Sequence, residues 1–396
     1  MLIGLVGKPS SGKSTFFKAA TLAEVLIAAY PFATIKPNTG VGYVKVDCID
    51  KEFNTQCMPK KGFCLNHNRF VPVELVDVAG LVPGASEGKG LGNQFLDDLR
   101  QADVFIHILD VSGTTDVEGK QTEGYDPAED IKFLENELDT WYLGILQKVW
   151  KTFSRTLNTN KSDNDFGKAV AKQFSGLKIN EDIVKAAIRS TGLNSDKASE
   201  WSDGELRKFA HELRNLSKPM IIAANKVDIP SGKENYKRLR ADFPNLNIIP
   251  CSADSELALR EAAKAGLIDY IPGEREFKIL KELNEKQKEA LETIKKNVMV
   301  LLEGTGVQSV LNAAVFGLLD YIAIFPAGVH KLADKDGNIL PDCFLLKNGS
   351  TALDFAYSLH TDIGDNFVKA IDARTGKAVG KDYVLKHRDA LEIMTK

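Results

Sequence analysis

The apolar run Met1-Leu-Ile-Gly-Leu-Val6 leads straight into Gly7-Lys-Pro-Ser-Ser-Gly-Lys-Ser14, and that loop leads into Thr15-Phe-Phe-Lys-Ala-Ala20. A strand, a G-x-x-x-x-G-K-S turn and a helix start, in this order, predict a phosphate-holding P-loop at the head of an α/β sheet. Gly7 and Gly12 free the backbone to curl, so that Lys8, Pro9, Ser10 and Ser11 wrap a phosphate. The N–H groups up to Thr15 then lie at the positive end of a helix. Lys13 is expected to reach the β- and γ-phosphates, and the Ser14 hydroxyl to bind Mg²⁺. The sequence therefore reads first as a binder of a nucleoside triphosphate.

Two downstream segments extend that site. Tyr30-Pro-Phe-Ala-Thr-Ile-Lys-Pro-Asn-Thr-Gly40 holds two prolines and a glycine, which argues for a loop. Thr34 in that loop is expected to close over the γ-phosphate and give Mg²⁺ a second hydroxyl. Strands are predicted over 41–46 and 70–76, the second running into Asp77-Val-Ala-Gly80. Asp77 is expected to hold Mg²⁺ through a water, and the Gly80 N–H to approach the γ-phosphate. The expected catalytic set is Lys13, Thr34 and Gly80, and the expected metal set is Ser14, Thr34 and Asp77. Four glycines in the nine residues 84–92 predict a mobile, γ-phosphate-sensing stretch. His107, inside the apolar strand predicted over 104–111, reads as a satisfied core histidine.

The choice of base is read from Pro219-Met-Ile-Ile-Ala-Ala-Asn-Lys-Val-Asp228, a buried strand ending in N-K-x-D. The Asp228 carboxylate can accept from guanine N1–H and its exocyclic amine, whereas adenine offers neither at those positions. Asn225 is expected to face the base edge and hold the loop, and the Lys226 stem to cover the ring. In Leu246-Asn-Ile-Ile-Pro-Cys-Ser-Ala253 the Ser252 and Ala253 N–H groups are expected to contact guanine O6. GTP with Mg²⁺ is the expected ligand.

The 396-residue chain is long enough for two or three cores. We expect an α/β fold: a P-loop NTPase domain with a mostly parallel sheet, helical insertions and a small β-rich domain at the end. The nucleotide domain is expected over 1–112 and 219–253, with a helical insertion over 113–218 that leaves and returns at the nucleotide end of the sheet. A helical extension over 254–303, a final helix over 304–319 and the β-rich domain over 320–396 complete the expectation. The net charge of −3 excludes a general attraction to nucleic acid, so any RNA contact must be local. Residues 141–218 carry 14 Lys/Arg against 9 Asp/Glu, which fits either an RNA-facing patch or a solvated helical face. The apolar stretch 309–326 contains Asn312 and Asp320 and reads as a buried helix running into a strand, not a membrane span. A chain that begins on a core strand is expected to lack a targeting peptide and to be cytoplasmic. The five cysteines fit reduced thiols. The spacing C-x₆-C-x₂-H of Cys57, Cys64 and His67 matches no common zinc pattern and reads as a hairpin with incidental thiols.

The segments 30–40 and 77–92 resemble the Obg-like GTPases, most closely the YchF-type branch. Asp354-Phe-Ala-Tyr-Ser-Leu-His-Thr-Asp-Ile-Gly364 resembles a TGS domain, a β-grasp module of that branch. The resemblance implies a ribosome-associated factor that switches with nucleotide, with ribosome or RNA as partner and neither membrane nor DNA expected; it does not fix an oligomeric state. Two departures stand out. YchF-type proteins usually carry N-x-x-E and prefer ATP, whereas Asn225-Lys-Val-Asp228 argues for GTP. Ser10 stands where family P-loops often carry Asn linked to a monovalent cation. In keeping with the family, Leu81 occupies the place of a water-orienting Gln, so hydrolysis is expected to be slow. Competing readings are an ATPase or P-loop kinase, and a binding module that holds GTP with negligible turnover.

Overall fold

The computed structural model describes residues 1–21, 39–78, 84, 99–159, 166–329 and 332–396. Thr34, Gly80, Leu81 and all of 84–92 except Gly84 lie outside the described residues. Strand β1 (Leu2–Val6) enters the loop, and helix α1 (Lys13–Thr21) leaves it. The sheet also contains β2 (Thr39–Asp47), β3 (Phe63–Leu65), β4 (Asn68–Asp77), β5 (Val104–Asp110), β6 (Met220–Asn225) and β7 (Ile248–Pro250). Its order is β2-β4-β1-β5-β6-β7, with β3 beside β4. The run from β4 to β7 is parallel, and β2 and β3 are antiparallel to β4. All seven residues of β5 are buried, as a parallel strand covered on both faces requires. The register sets Leu5 beside Asp77 and Asp110 beside Asn225. The carboxyl ends of β1, β4, β5 and β6 thus meet along one edge, where ligands of open α/β sheets bind.

The segment between β5 and β6 is helical: α2 (Pro127–Thr159), α3 (Phe166–Gln173), α4 (Glu181–Thr191) and α5 (Asp203–Ser217). Ser202 and Glu205 form a capping box that starts α5. Trp150 stacks on Trp201 with ring centroids 5.3 Å apart, and Phe166 and Phe209 close an aromatic core around them. This core is continuous with Val6, Val76 and Phe105, so the helices cover one face of the sheet. The expectation that both junctions lie at the nucleotide end is corrected. The outgoing junction follows Asp110, but the return at Met220 pairs with Phe105, at the opposite end of the strands. A strand of six residues separates the return from the site, about 20 Å. Lys218 anchors that return by donating to the carbonyls of Arg100 and Ala102, each at 2.6 Å.

After β6, α6 (Pro230–Asp242) starts with proline in its first turn, and β7 leads into α7 (Ala253–Lys264). The expected all-helical stretch beyond it contains a hairpin, β8 (Ile268–Tyr270) with β9 (Phe277–Ile279). Its connection begins at Ile271-Pro-Gly273, with Gly273 at φ 79°. Helix α8 (Glu285–Ile294) continues through a π turn to Leu302 and breaks at 303–306, where Glu303, Gly304 and Gly306 have positive φ. Helix α9 (Val307–Asn312) then buries Val307, Val310 and Leu311 against Ile3, Leu75 and Ile106, covering the second face. The stretch 285–318 is long and apolar enough to cross a membrane by composition, yet its apolar half is interior here.

The chain ends in a second, five-stranded sheet: β10 (Tyr321–Pro326), β11 (Phe344–Lys347), β12 (Phe367–Asp372), β13 (Ala378–Val379) and β14 (Ala390–Thr395). Its order is β11-β10-β14-β12-β13, with β10 and β14 parallel and the other pairs antiparallel. Helix α10 (Ala352–Leu359) buries Ala352 and Phe355 against Ile322, Ile324 and Leu391. Glu52, from the nucleotide domain, pairs with both Arg374 and Arg388 and ties this sheet to the first.

Candidate nucleotide site

The loop between β1 and α1 depends on two glycines. Gly7 has φ 150°, and a Cβ there would lie 2.5 Å from the Ile108 carbonyl oxygen. Gly12 has φ 94°, and a Cβ there would lie 2.3 Å from Asn225 Nδ2. Both positions exclude a side chain. Ser10 turns the loop at φ 61°. Lys13 Nζ donates to the Lys8 carbonyl at 2.8 Å, folded back across the loop. Burial pushes its ammonium down to about 8, against the pull of the Asp77 carboxylate.

Ser14 and Asp77 face each other: Ser14 Oγ donates to Asp77 Oδ2 at 2.9 Å. Burial pushes the Asp77 carboxyl up, while Ser14 and Lys13 draw it down. Its Oδ1 is buried without a partner among the described residues. A hydroxyl and a half-satisfied carboxylate at the strand end offer hard oxygen donors, the chemistry a small divalent cation selects. Thr34 and Gly80 fall outside the described residues, so their placement adds nothing to this pair.

Lys8 is expected to meet the phosphate through its backbone, and its side chain is engaged elsewhere. Its side chain turns away from the loop and lies buried, with Nζ 2.8 Å from Asp130 Oδ2 and 2.6 Å from the Thr115 carbonyl. It also sits over the Tyr125 ring at 4.2 Å. Its ammonium braces the loop against α2, leaving only its backbone for a phosphate. Pro9 packs against Gly119, Ser11 Oγ is buried without a partner among the described residues, and Thr15 lies half-buried in the first turn of α1.

At the base side, Asn225 bridges two loops. Its Nδ2 donates to the Ser11 carbonyl at 2.9 Å, and its Oδ1 accepts from the Ala253 N–H at 3.0 Å. Asn225 therefore holds the loop and does not present its amide to a base. The Ala253 N–H is taken by this bond, and the Ser252 N–H donates to the Thr305 carbonyl at 2.9 Å. Both N–H groups, expected from the sequence to meet guanine O6, are engaged within the protein here. Ser252 instead caps α7 through its side chain. Lys226, at φ 66°, lays its stem over the loop, with Nζ 3.0 Å from the Ser10 carbonyl and 2.7 Å from Asp110 Oδ2. The Asp228 carboxylate is half-buried and accepts no hydrogen bond from the described residues.

Asp110 was missed in the sequence. It is fully buried and accepts from Lys226, Thr115 Oγ1 at 2.7 Å and the Ser112 hydroxyl and N–H. Burial alone would raise its carboxyl, but the Lys226, Ser112 and Thr115 hydrogen bonds outweigh it and hold the group below its ordinary value. An acidic residue closing the buried strand beside the P-loop strand was the available signal. His107 is a core residue, although not a satisfied one: Nδ1 has no partner among the described residues. Burial, with Lys13 and Lys8 nearby, pushes the ring to about 3 and keeps it neutral.

Three family models match the chain in order. A model described as a 50S ribosome-binding GTPase matches residues 2–142, an Obg-like GTPase YGR210-like, G4 motif-containing domain matches 223–328, and a TGS domain matches 332–395. An uncharacterised GTP-binding protein of Methanocaldococcus jannaschii is 48% identical over 397 residues, covering 100% of this chain and 99% of that one. An uncharacterised GTP-binding protein of Schizosaccharomyces pombe is 38% identical over 365 residues, 89% of this chain and 88% of its own. The crystal structure of a GTP-binding protein from Pyrococcus horikoshii superposes with a TM-score of 0.80 at 41% identity, covering 100% of both chains. Shared sequence over the full length, and a shared fold around the same loop, place the chain among the Obg-like GTPases of the YchF type that carry a C-terminal TGS domain.

Proposed function

We propose that this protein binds GTP with Mg²⁺, hydrolyses it slowly to GDP, and acts in the cytoplasm as a nucleotide-controlled switch in translation. The observation that carries the choice of GTP is Asp228, a carboxylate at the loop after β6 with no hydrogen bond to the described residues. Guanine N1–H and its amine would satisfy it, whereas adenine would leave a desolvated acceptor unpaired. Relatives named ribosome-binding ATPase YchF, such as that of Bacillus subtilis at 29% identity over 93% of this chain, keep ATP hydrolysis as the second reading.

Triphosphate binding draws Lys13 away from the Lys8 carbonyl toward the β- and γ-phosphates, while Asn225 and Lys226 keep the loop in shape. Ser14 and Asp77, with Thr34, would hold Mg²⁺, which neutralises charge on the phosphate oxygens. The Gly80 N–H is proposed to meet the γ-phosphate. Leu81 cannot hydrogen-bond an attacking water, which supports a low intrinsic rate. The units 1–112, 113–218, 219–253, 254–303, 304–319 and 320–396 are proposed as the working parts. One link between the glycine-rich stretch and the insertion is on hand: the Gly84 N–H donates to Glu137 Oε1 of α2 at 2.8 Å. A change at 84–92 would then reach α2, on which Lys148 and Lys151 are exposed.

The ribosomal role rests on the names of the ATPase relatives and on the basic balance of residues 141–218. Single-turnover hydrolysis of GTP and ATP, with and without ribosomes, tests the proposal. Slow GTP turnover, with ribosome co-sedimentation that differs between GDP and a non-hydrolysable GTP analogue, is expected. Ribosome binding that ignores nucleotide contradicts the switch.

A further inference from the structure

A second cluster of reactive side chains lies far along the sheet from the P-loop, where the nucleotide domain meets the C-terminal sheet. Cys48 follows β2, Asp50 lies in the short 3₁₀ turn Ile49–Phe53, Cys57 lies in the loop after it, and Cys64 lies in β3. Their four ligand atoms all lie within 4.8 Å of one another, and Cys48, Asp50 and Cys57 are buried. The Cys48 and Cys57 sulfurs are 3.6 Å apart, and all the cysteines are free thiols. Cys64 Sγ is 3.8 Å from Asp50 Oδ2. A tetrahedral zinc ion with Zn–S near 2.3 Å and Zn–O near 2.0 Å sets its ligands about 3.8 Å and about 3.5 Å apart. The Cys48–Cys57 and Cys64–Asp50 pairs lie close to that spacing, and no pair of ligand atoms is more than 4.8 Å apart. Cys64 and His67 lie on the β3–β4 hairpin that the sequence leads one to expect, and the spacing of Cys57, Cys64 and His67 leaves out Cys48 and Asp50, which the fold brings beside them.

The surroundings suit such an ion. His67 Nδ1 lies 2.9 Å from Asp50 Oδ1, the carboxylate oxygen turned away from Cys57 and Cys64, and orients the carboxylate. The Cys57 N–H fixes Oδ2 at 3.0 Å. Arg69 is fully buried, and its Nε and Nη1 have no hydrogen-bond partner among the described residues. It stands opposite Cys64 in the register of β3 with β4, beside the cluster. A buried cation with unmatched donors beside neutral thiols is unfavourable, whereas three thiolates, a carboxylate and a divalent ion leave a net negative centre for it to balance.

We propose that Cys48, Asp50, Cys57 and Cys64 form a structural zinc site that braces the joint between the nucleotide domain and the C-terminal domain. Residues beside the cluster carry that joint. The Met58 and Lys60 N–H groups donate to the carbonyls of Ile339 and Pro341 at 2.9 and 2.7 Å. Arg69 Nη2 donates to the Leu340 carbonyl, and Cys48, Ile49 and Cys57 share a core with Phe325, Leu340 and Ala390. Zinc would fix the 48–64 segment, which has little regular structure of its own, and with it the seat of the C-terminal domain.

The test is the metal content of the full-length protein, purified reduced and without added metal or chelator. About one zinc per chain is expected, released by a thiol-blocking mercurial. After stripping, one equivalent of Co²⁺ should give the visible absorption and near-ultraviolet charge-transfer band of a tetrahedral thiolate site. Cys64→Ser should cut zinc at least fivefold with GTP binding unchanged, and Cys343→Ser should retain it. Wild-type protein that is metal-free and takes up neither zinc nor cobalt at micromolar concentration overturns the proposal. So does a Cys48–Cys57 disulfide in the intact mass, or iron in place of zinc.

Discussion

Raising pH should weaken GTP binding through Lys13, and the structure sets the size of the effect. In the free protein burial holds this ammonium near 8, below its ordinary 10.5. Bound phosphates favour the charged form, so its pKa in the complex lies well above that of the free protein. Below pH 8 the lysine is protonated in both states and affinity is flat; above it, binding must take up a proton. The dissociation constant should therefore rise about tenfold between pH 7 and pH 9, with uptake of about half a proton at pH 8 and about 0.9 at pH 9. Titration calorimetry in two buffers of different ionisation enthalpy reads both numbers. Lys13→Arg is the control, since arginine stays charged and guanine N1 ionisation is common to both proteins. A wild-type profile parallel to that of Lys13→Arg, or no proton uptake at pH 9, would refute the reasoning. The same shift acts on stability with a definite sign. A lysine lowered from 10.5 to about 8 opposes folding by about 3 kcal/mol below pH 8, a penalty that fades as pH rises toward 10.5. Lys13→Met should raise the thermal midpoint of the nucleotide-free protein at pH 7 while abolishing triphosphate binding.

Asp228→Asn should shift preference from GTP to xanthosine triphosphate by at least tenfold, because the amide donates to xanthine O2 where the carboxylate accepted from guanine's amine; unchanged preference in a competition assay counts against the base assignment. Asn225→Ala removes two buried hydrogen bonds and leaves the Ser11 carbonyl and Ala253 N–H unpaired, so GTP and GDP should both weaken 10- to 100-fold by about 1–3 kcal/mol; loss confined to GTP would mean that Asn225 senses the γ-phosphate instead. Lys8→Met should destabilise the nucleotide domain by about 3–5 kcal/mol in denaturant unfolding, since it strands Asp130 without its cation. Lys8→Met with Asp130→Leu should recover most of that loss, and a double variant no more stable than the single one would show that the pair is not a brace.

The parallel sheet and the strand ends were legible because each element carries its own signal. The apolar strand 104–110 is buried throughout, and the loop 7–14 joins a strand to a helix by spacing alone. What was not legible depends on partners distant in sequence. Nothing local says that Lys8 reaches Asp130 or that Asp110 receives Lys226; those ion pairs join residues more than a hundred positions apart. Nor does anything local say that the Ala253 N–H donates to Asn225. The hairpin at 268–279 was hidden by its short strands, three residues each, ahead of a long charged helix. Thr34 and Gly80, read from the sequence as switch residues, fall outside the described part, so that reading rests on the sequence.

The central claim is that the loop after β6 selects guanine, and equilibrium competition of GTP and ATP for the full-length protein with Mg²⁺ tests it most directly. A fluorescent GTP analogue displaced by each nucleotide at pH 7.5 gives both constants in one experiment. The structure predicts GTP at least tenfold tighter than ATP, about 1.4 kcal/mol or more, from one half-buried acceptor matched or left unpaired. Equal affinities, or tighter binding of ATP, would contradict it.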